Sequence, residues 1–320
     1  MITFSTIKNE DYMVIVREDD KSKIYAYRFQ NGEPILYFQM RTDCKITGCV
    51  ATEKGVILTK EDSDKIYDMS QGNCVEYDVN KKSIIVNRLN TSDLEEHLLM
   101  NIDGTYMIYD LKTKKVVCEN LPYSDGLTDM QYSDNNEIVM LTNSIFEYDD
   151  DELHYKIVVL DKSYSPTKYT GEAIYEDWGE IRIEEIKHGM HYPLFSKYLY
   201  NYPLNICISA QAGCYLQWIE EHIILVGSII DSNCVFIVEI PEEITREATF
   251  YYNEEKQFLY ITEDDKLIVY CVDYNRGLYE ELNTMYKNHT GSLQNSFMFN
   301  RLFYKCLEST KLKTMYENDI

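Results

Sequence analysis

The chain has 320 residues, 45% of them hydrophobic, and sets 54 acidic against 31 basic side chains for a formal net charge of −23. That apolar fraction supports a sizeable core and argues against wholesale disorder. The acidity repels phosphate backbones and anionic bilayers at long range, which argues against direct nucleic-acid binding and against docking on an acidic membrane.

Tyrosine is abundant at 29 residues, while glycine and proline are few at 13 and 6. Tyr packs its ring on a pleated surface and keeps its hydroxyl wet, so a β-rich body is expected. The segment Met1–Lys8 lacks a basic region followed by an apolar stretch, so it does not read as a secretory signal. No stretch nears the roughly 20 apolar residues of a membrane-spanning helix. The nine cysteines (44, 49, 74, 118, 207, 214, 234, 271 and 306) are odd in number and form no CxxC pair. They read as reduced core thiols of a cytoplasmic protein.

In chain order, one unit recurs: a β run often ending in Tyr-Asp or a related pair, a short polar turn, and a second β run. A loose copy at Ile24–Phe29 continues into Pro34–Tyr37. Gly55–Thr59 is an apolar strand preceding the copy Cys74–Val86, and Tyr106–Val117 is the clearest copy, behind the tight-turn signal Ile102-Asp103-Gly104-Thr105. Glu137–Leu141 precedes Lys156–Asp161 with Thr167–Tyr169; His222–Val226 precedes Val235–Ile240; Gln257–Ile261 precedes Leu267–Tyr274. Short continuous apolar runs, in place of strict alternation, indicate strands covered on both faces.

The copy around Tyr109-Asp110, with its following Leu111-Lys112-Thr113-Lys114 turn, resembles the strand–turn step of WD-repeat propellers. The resemblance covers about six short stretches. The Gly-His pair of that family is missing, and no copy has Trp before Asp. It implies an all-β, β-propeller fold of about six or seven blades over residues 1–290, with about 40–45 residues per blade. Residues 172–205 interrupt the pattern as an insertion or a degenerate blade. The segment 291–320 reads as a C-terminal amphipathic helix with Ser292 as its N-cap, because Phe299, Leu302, Phe303 and Cys306 recur at helical spacing.

Chemistry-bearing clusters are sparse. Glu185, His188 and His191 are metal-ligand types, but Gly189 and Pro193 break the helical frame that would align them, and polar residues of a loop are the plainer reading. The acidic run at Asp149, Asp150, Asp151 and Glu152 lacks calcium-loop spacing and reads as a solvated hairpin tip, or as a site for a partner's Lys and Arg. No nucleophile elbow, phosphate-cradling loop or dinucleotide fingerprint is present. The candidate binding anchors are the large aromatics Trp178, Tyr215 and Trp218, with Phe299 and Phe303 on the terminal helix.

The expectation is therefore a non-catalytic protein-interaction scaffold or complex subunit without a cofactor, its partner another protein, with a basic one favoured by the charge. Two alternatives are an acidic inhibitor or immunity-type protein that binds a basic partner, and a hydrolase-like enzyme built on residues 172–205.

Overall fold

A computed structural model describes residues 1–18, 22–70, 73–79, 82–90, 96–122, 124, 127–132, 137–145, 153–161, 163, 166–169, 173–175, 181–183, 207–209, 214–220, 222–228, 233–245, 247–287 and 297–320. The chain divides into two compact units, Met1–Ser124 with Met130–Glu137, and Asp125–Asp129 with Ile138–Ile320.

The first unit holds three antiparallel four-stranded sheets, each a meander in chain order. They comprise β1 (Ile2–Ile7), β2 (Glu10–Glu18), β3 (Ser22–Gln30) and β4 (Glu33–Thr42); then β5 (Ile46–Thr52), β6 (Gly55–Lys60), β7 (Lys65–Ser70) and β8 (Asn73–Asp78); then β9 (Ile84–Asn90), β10 (Glu96–Ile102), β11 (Thr105–Asp110) and β12 (Lys115–Cys118). Three of the hairpins turn on two consecutive left-handed residues, Lys8-Asn9, Asn31-Gly32 and Asp103-Gly104. Such two-residue turns match the natural twist of the strands they join.

The apolar runs have a direct structural cause. On β6, Val56 and Leu58 enter one core with Val14, Ile24 and Ala51, whereas Ile57 enters a second core with Ile66, Leu98 and Tyr109. Successive side chains point to opposite faces of a sheet, and here both faces are covered by neighbouring sheets. The first strands β1, β5 and β9 lie against one another. Gly48 on β5 permits this approach, since a Cβ there would stand 2.2 Å from the Ile85 carbonyl oxygen on β9. Side chains bond the sheets together: Thr3 Oγ1 donates to Cys49 O at 2.7 Å, and the Ile85 amide donates to Thr59 Oγ1 at 3.2 Å.

A fourth sheet contains β13 (Leu127–Tyr132), which spans the division, and β14 (Ile138–Ile145), β15 (Leu153–Leu160), β16 (Pro166–Tyr169), β17 (Ala173–Tyr175) and β18 (Ile181–Ile183). The described parts of 172–205 are thus two short strands added to this sheet. The fifth sheet is β19 (Cys207–Ser209), β20 (Cys214–Glu220), β21 (Ile223–Ser228) and β22 (Cys234–Glu239). The sixth begins with β23 (Thr249–Asn253), β24 (Phe258–Glu263) and β25 (Lys266–Asp273). Two helices follow, α1 (Arg276–Lys287) and α2 (Phe297–Ser309), before β26 (Lys311–Asp319) completes the sixth sheet on the edge of β25. The described residues therefore form six sheets, five of them the four-stranded meander that serves as a propeller blade. The all-β, propeller-type fold with a C-terminal amphipathic helix is as expected.

Three details differ from the sequence reading. Cys74–Val86 is not a hairpin: its first half is β8, the last strand of the second sheet, and its second half is β9, the first strand of the third. The helical segment 291–320 resolves into α2 followed by strand β26, because the outer edge of β25 offers backbone partners that continuing the helix would forgo. Its proposed cap Ser292 lies outside the described residues. Helix α1 is an addition, started by Asn275, whose side-chain oxygen accepts the Leu278 amide at 3.4 Å.

Candidate functional site

Of the residues singled out in sequence, Trp178, Asp149, Asp150, Asp151, Glu152, Glu185, His188 and His191 lie outside the described residues. Tyr215 and Trp218 are on β20, in register with Gly227 and Ile224 of β21. Phe299 and Phe303 are brought together, with ring centroids 6.5 Å apart, but both are buried in the core of the second unit with Phe236, Tyr279 and Leu282. As docking anchors they are corrected: their apolar face is already covered by α1 and β22. The exposed large apolar side chains of α2, among the described residues, are Met298 and Tyr304.

A concave site is found instead in the first unit, around a residue not singled out in sequence. A cavity of about 420 Å³ is lined by Thr52, Glu53 and Lys54 of the β5–β6 turn, Ile57, Asp68 and Ser70 of the second sheet, Tyr77 on β8, Arg88 and Glu96 of the third sheet, and Leu111-Lys112 beyond β11. Two different turns, at Glu53-Lys54 and Leu111-Lys112, thus meet at one opening. Arg88, at 2% exposure, is the largest buried side chain of its wall. Its Nη1 donates to Ala51 O at 2.6 Å and its Nη2 sits 2.7 Å from Glu96 Oε1. Its Nε has no hydrogen-bond partner among the described residues. Burial pulls the Arg88 pKa down, and the carboxylates of Glu96 and Glu53 oppose that pull. The guanidinium remains charged, since arginine does not deprotonate in proteins.

The other charges sort into held and free. Glu53 pairs with Lys8 at 2.5 Å, and Asp68 accepts a hydrogen bond from the Ser70 hydroxyl. Lys54 and Lys112 are exposed and carry no ion pair among the described residues. Burial raises the Tyr77 hydroxyl pKa, and the ammonium of Lys114 lies 4.7 Å from the Tyr77 ring centroid. The turn below is fixed by Tyr37, whose hydroxyl lies 2.7 Å from Thr52 O and 3.1 Å from Gly55 O, and burial drives its pKa well up.

Asp110, the acid of the Tyr-Asp pair, positions Lys112. Its carboxylate accepts the amides of Lys112 and Thr113 at 2.7 and 3.1 Å and the Thr113 hydroxyl at 2.8 Å. Burial pushes this carboxyl up, but the three hydrogen bonds outweigh it and hold the pKa below the usual carboxylate range. This bonding is the physical content of the Tyr-Asp turn read in sequence. Arg88 left one faint signal, a lone cation in the apolar run Ile84-Ile85-Val86-Asn87-Arg88-Leu89.

Among the described residues, no three His, Cys, Asp or Glu side chains group as a metal site, and no helix is long and apolar enough to cross a membrane. No family model matches the chain, and no curated protein matches it. Among solved structures it is similar to Kluyvelomyces marxianus Hsv2, at 10% identity and a TM-score of 0.42, over 81% of this chain and 71% of that one.

Proposed function

We propose that this protein is a non-catalytic protein-binding module whose repeated sheets present their outermost strands to a partner. The observation that carries this reading is where the exposed apolar side chains fall. Ile35 and Leu36 stand on β4, Val75 on β8 and Val117 on β12, each on the fourth strand of its sheet and each about two-fifths exposed. The inner strands β5 and β6 of the second sheet are buried, and on the inner strands of the three sheets the exposed exception among the large apolar side chains is Ile84 at the start of β9. Exposed apolar groups surrounded by charge supply an interface with its anchors while the polar surround keeps the free protein soluble. The net charge of −23 favours a partner with a basic surface.

The test is affinity capture from the native host at low and high salt, with wild type and an Ile35→Asp/Leu36→Asp variant of unchanged circular dichroism. A partner retained in high salt and lost by the variant supports an apolar strand-face contact. A basic partner lost only in high salt, and kept by the variant, moves the reading to the acidic inhibitor. No partner under any condition sinks both. Truncation at residue 290 is unsuitable for this purpose, because it removes β26 and the buried Phe299 and Phe303.

A further inference from the structure

We infer that the cavity around Arg88 is a binding site for a carboxylate carried on an apolar or aromatic body. The first support is charge. In a chain with 23 more negative than positive groups, this one opening holds two exposed ammoniums, Lys54 and Lys112, with no ion pair among the described residues. Two carboxylates of the same lining are ion-paired, Glu53 with Lys8 and Glu96 with Arg88, while Asp68 accepts a hydrogen bond from Ser70 and keeps its charge, which leaves two ammoniums against one carboxylate. The unanswered charge at the opening is therefore positive.

The second support is the wall itself. Arg88 is 2% exposed and fixed by Ala51 O and Glu96, so it backs the opening as a rigid wall whose cation is already paired. The third support is the remaining lining. Ile57, Leu111 and the Tyr77 ring give the cavity an apolar side, and about 420 Å³ accommodates a ring with a short acidic arm. An anion with an apolar body suits this lining better than inorganic phosphate, which has no apolar surface to bury against Ile57, Leu111 and Tyr77.

A carboxylate of this kind can arrive on a small organic acid or at the C-terminus of a peptide ending in an aromatic residue. The site is independent of the strand-face contact above: a protein that captures no partner can still bind the acid, and the β4 variant leaves the cavity intact. The experiment is isothermal titration of the full chain with phenylacetate, phenylacetamide, inorganic phosphate, and a short peptide ending in Phe as free acid and as amide. Saturable binding of phenylacetate or the free-acid peptide is expected. It should weaken at least tenfold for the amide, for a Lys54→Ala/Lys112→Ala variant, and in high salt. Binding of phenylacetate alone identifies a small acid, and binding of the free-acid peptide alone identifies a chain terminus. Equal binding of acid and amide, tighter binding of phosphate, an unaffected lysine variant, or no binding of either acid overturns the proposal. Because both lysines are exposed turn residues, unchanged circular dichroism of the variant separates lost binding from lost fold.

Discussion

Arg88 ties three strands through one side chain, reaching Ala51 on β5 and Glu96 on β10 from its place on β9. Removing it strands the Ala51 carbonyl and opens a void, whereas Glu96 is exposed enough to rehydrate. Arg88→Ala is therefore expected to cost roughly 2–4 kcal/mol, at or below the range for breaking a buried pair, measured by urea denaturation. Gly48→Ala forces a Cβ against the Ile85 backbone, which cannot yield as a side-chain tip would, and about 1–3 kcal/mol of destabilisation is expected. Asp110 sets a pH dependence. Its folded pKa lies below the ordinary aspartate value of 3.8, so its contribution is fully present above that value and is lost as pH falls through the folded pKa. Melting curves between pH 6 and about 2 should show a steeper acid loss for wild type than for Asp110→Asn, which is less stable at neutral pH. Equal acid slopes would remove this role. At this scale the sequence was partly legible: Asp103-Gly104 and Tyr109-Asp110 announce their turns through local chemistry. Arg88 does not announce itself, because its partners lie on strands distant in sequence.

Helix α1 does for the edge of β22 what a neighbouring strand would do. Asn283 accepts the Cys234 amide at 2.8 Å and donates to the Cys234 carbonyl at 3.0 Å, so one side-chain amide answers a full backbone pair. One helical turn away, Tyr279 accepts the Ile237 amide at 2.9 Å, and its hydroxyl lies 3.1 Å from the carbonyls of Ile237 and Cys306. Burial raises its pKa far above the usual phenol value. Uncapped strand edges invite pairing with other chains, and here two side chains close one. Tyr279→Phe leaves the Ile237 amide buried without its acceptor and should cost about 1–3 kcal/mol. Hydrogen exchange at Ile237 should accelerate well before exchange elsewhere on β22; uniform acceleration would show a merely global effect. Phe299→Ala, from the core of α2, should cost about 3–5 kcal/mol, read by denaturation. The strands were legible because both faces are buried and the runs are apolar throughout. Helix α1 escaped because its buried face includes Asn283 and Tyr279, polar groups placed for bonding. Strand β26 escaped because its register is dictated by β25 and not by its own charged sequence.

At the scale of the whole chain, charge dominates. The exposed pairs Lys45–Glu61, Lys65–Glu76 and Lys266–Glu317 are solvated contacts that contribute little. Repulsion within an excess of 23 negative groups is collective, so added salt should raise the melting temperature by screening it. A fall in melting temperature with salt would mean that the pairs outweigh the repulsion. The division into two units was not legible, because successive sheets resemble one another and the sequence at their junction looks like any other strand connection. The placement of β26 has a further consequence, for synthesis. In a nascent chain growing from its N-terminus, β25 emerges with its outer edge bare, and α1 and α2 must follow before the strand that covers it. The helices close the edge of β22 first, so the ribosome delivers protection for the fifth sheet before the sixth is whole. During that interval β25 is the place where a chaperone, or a second nascent chain, would find an unpaired strand.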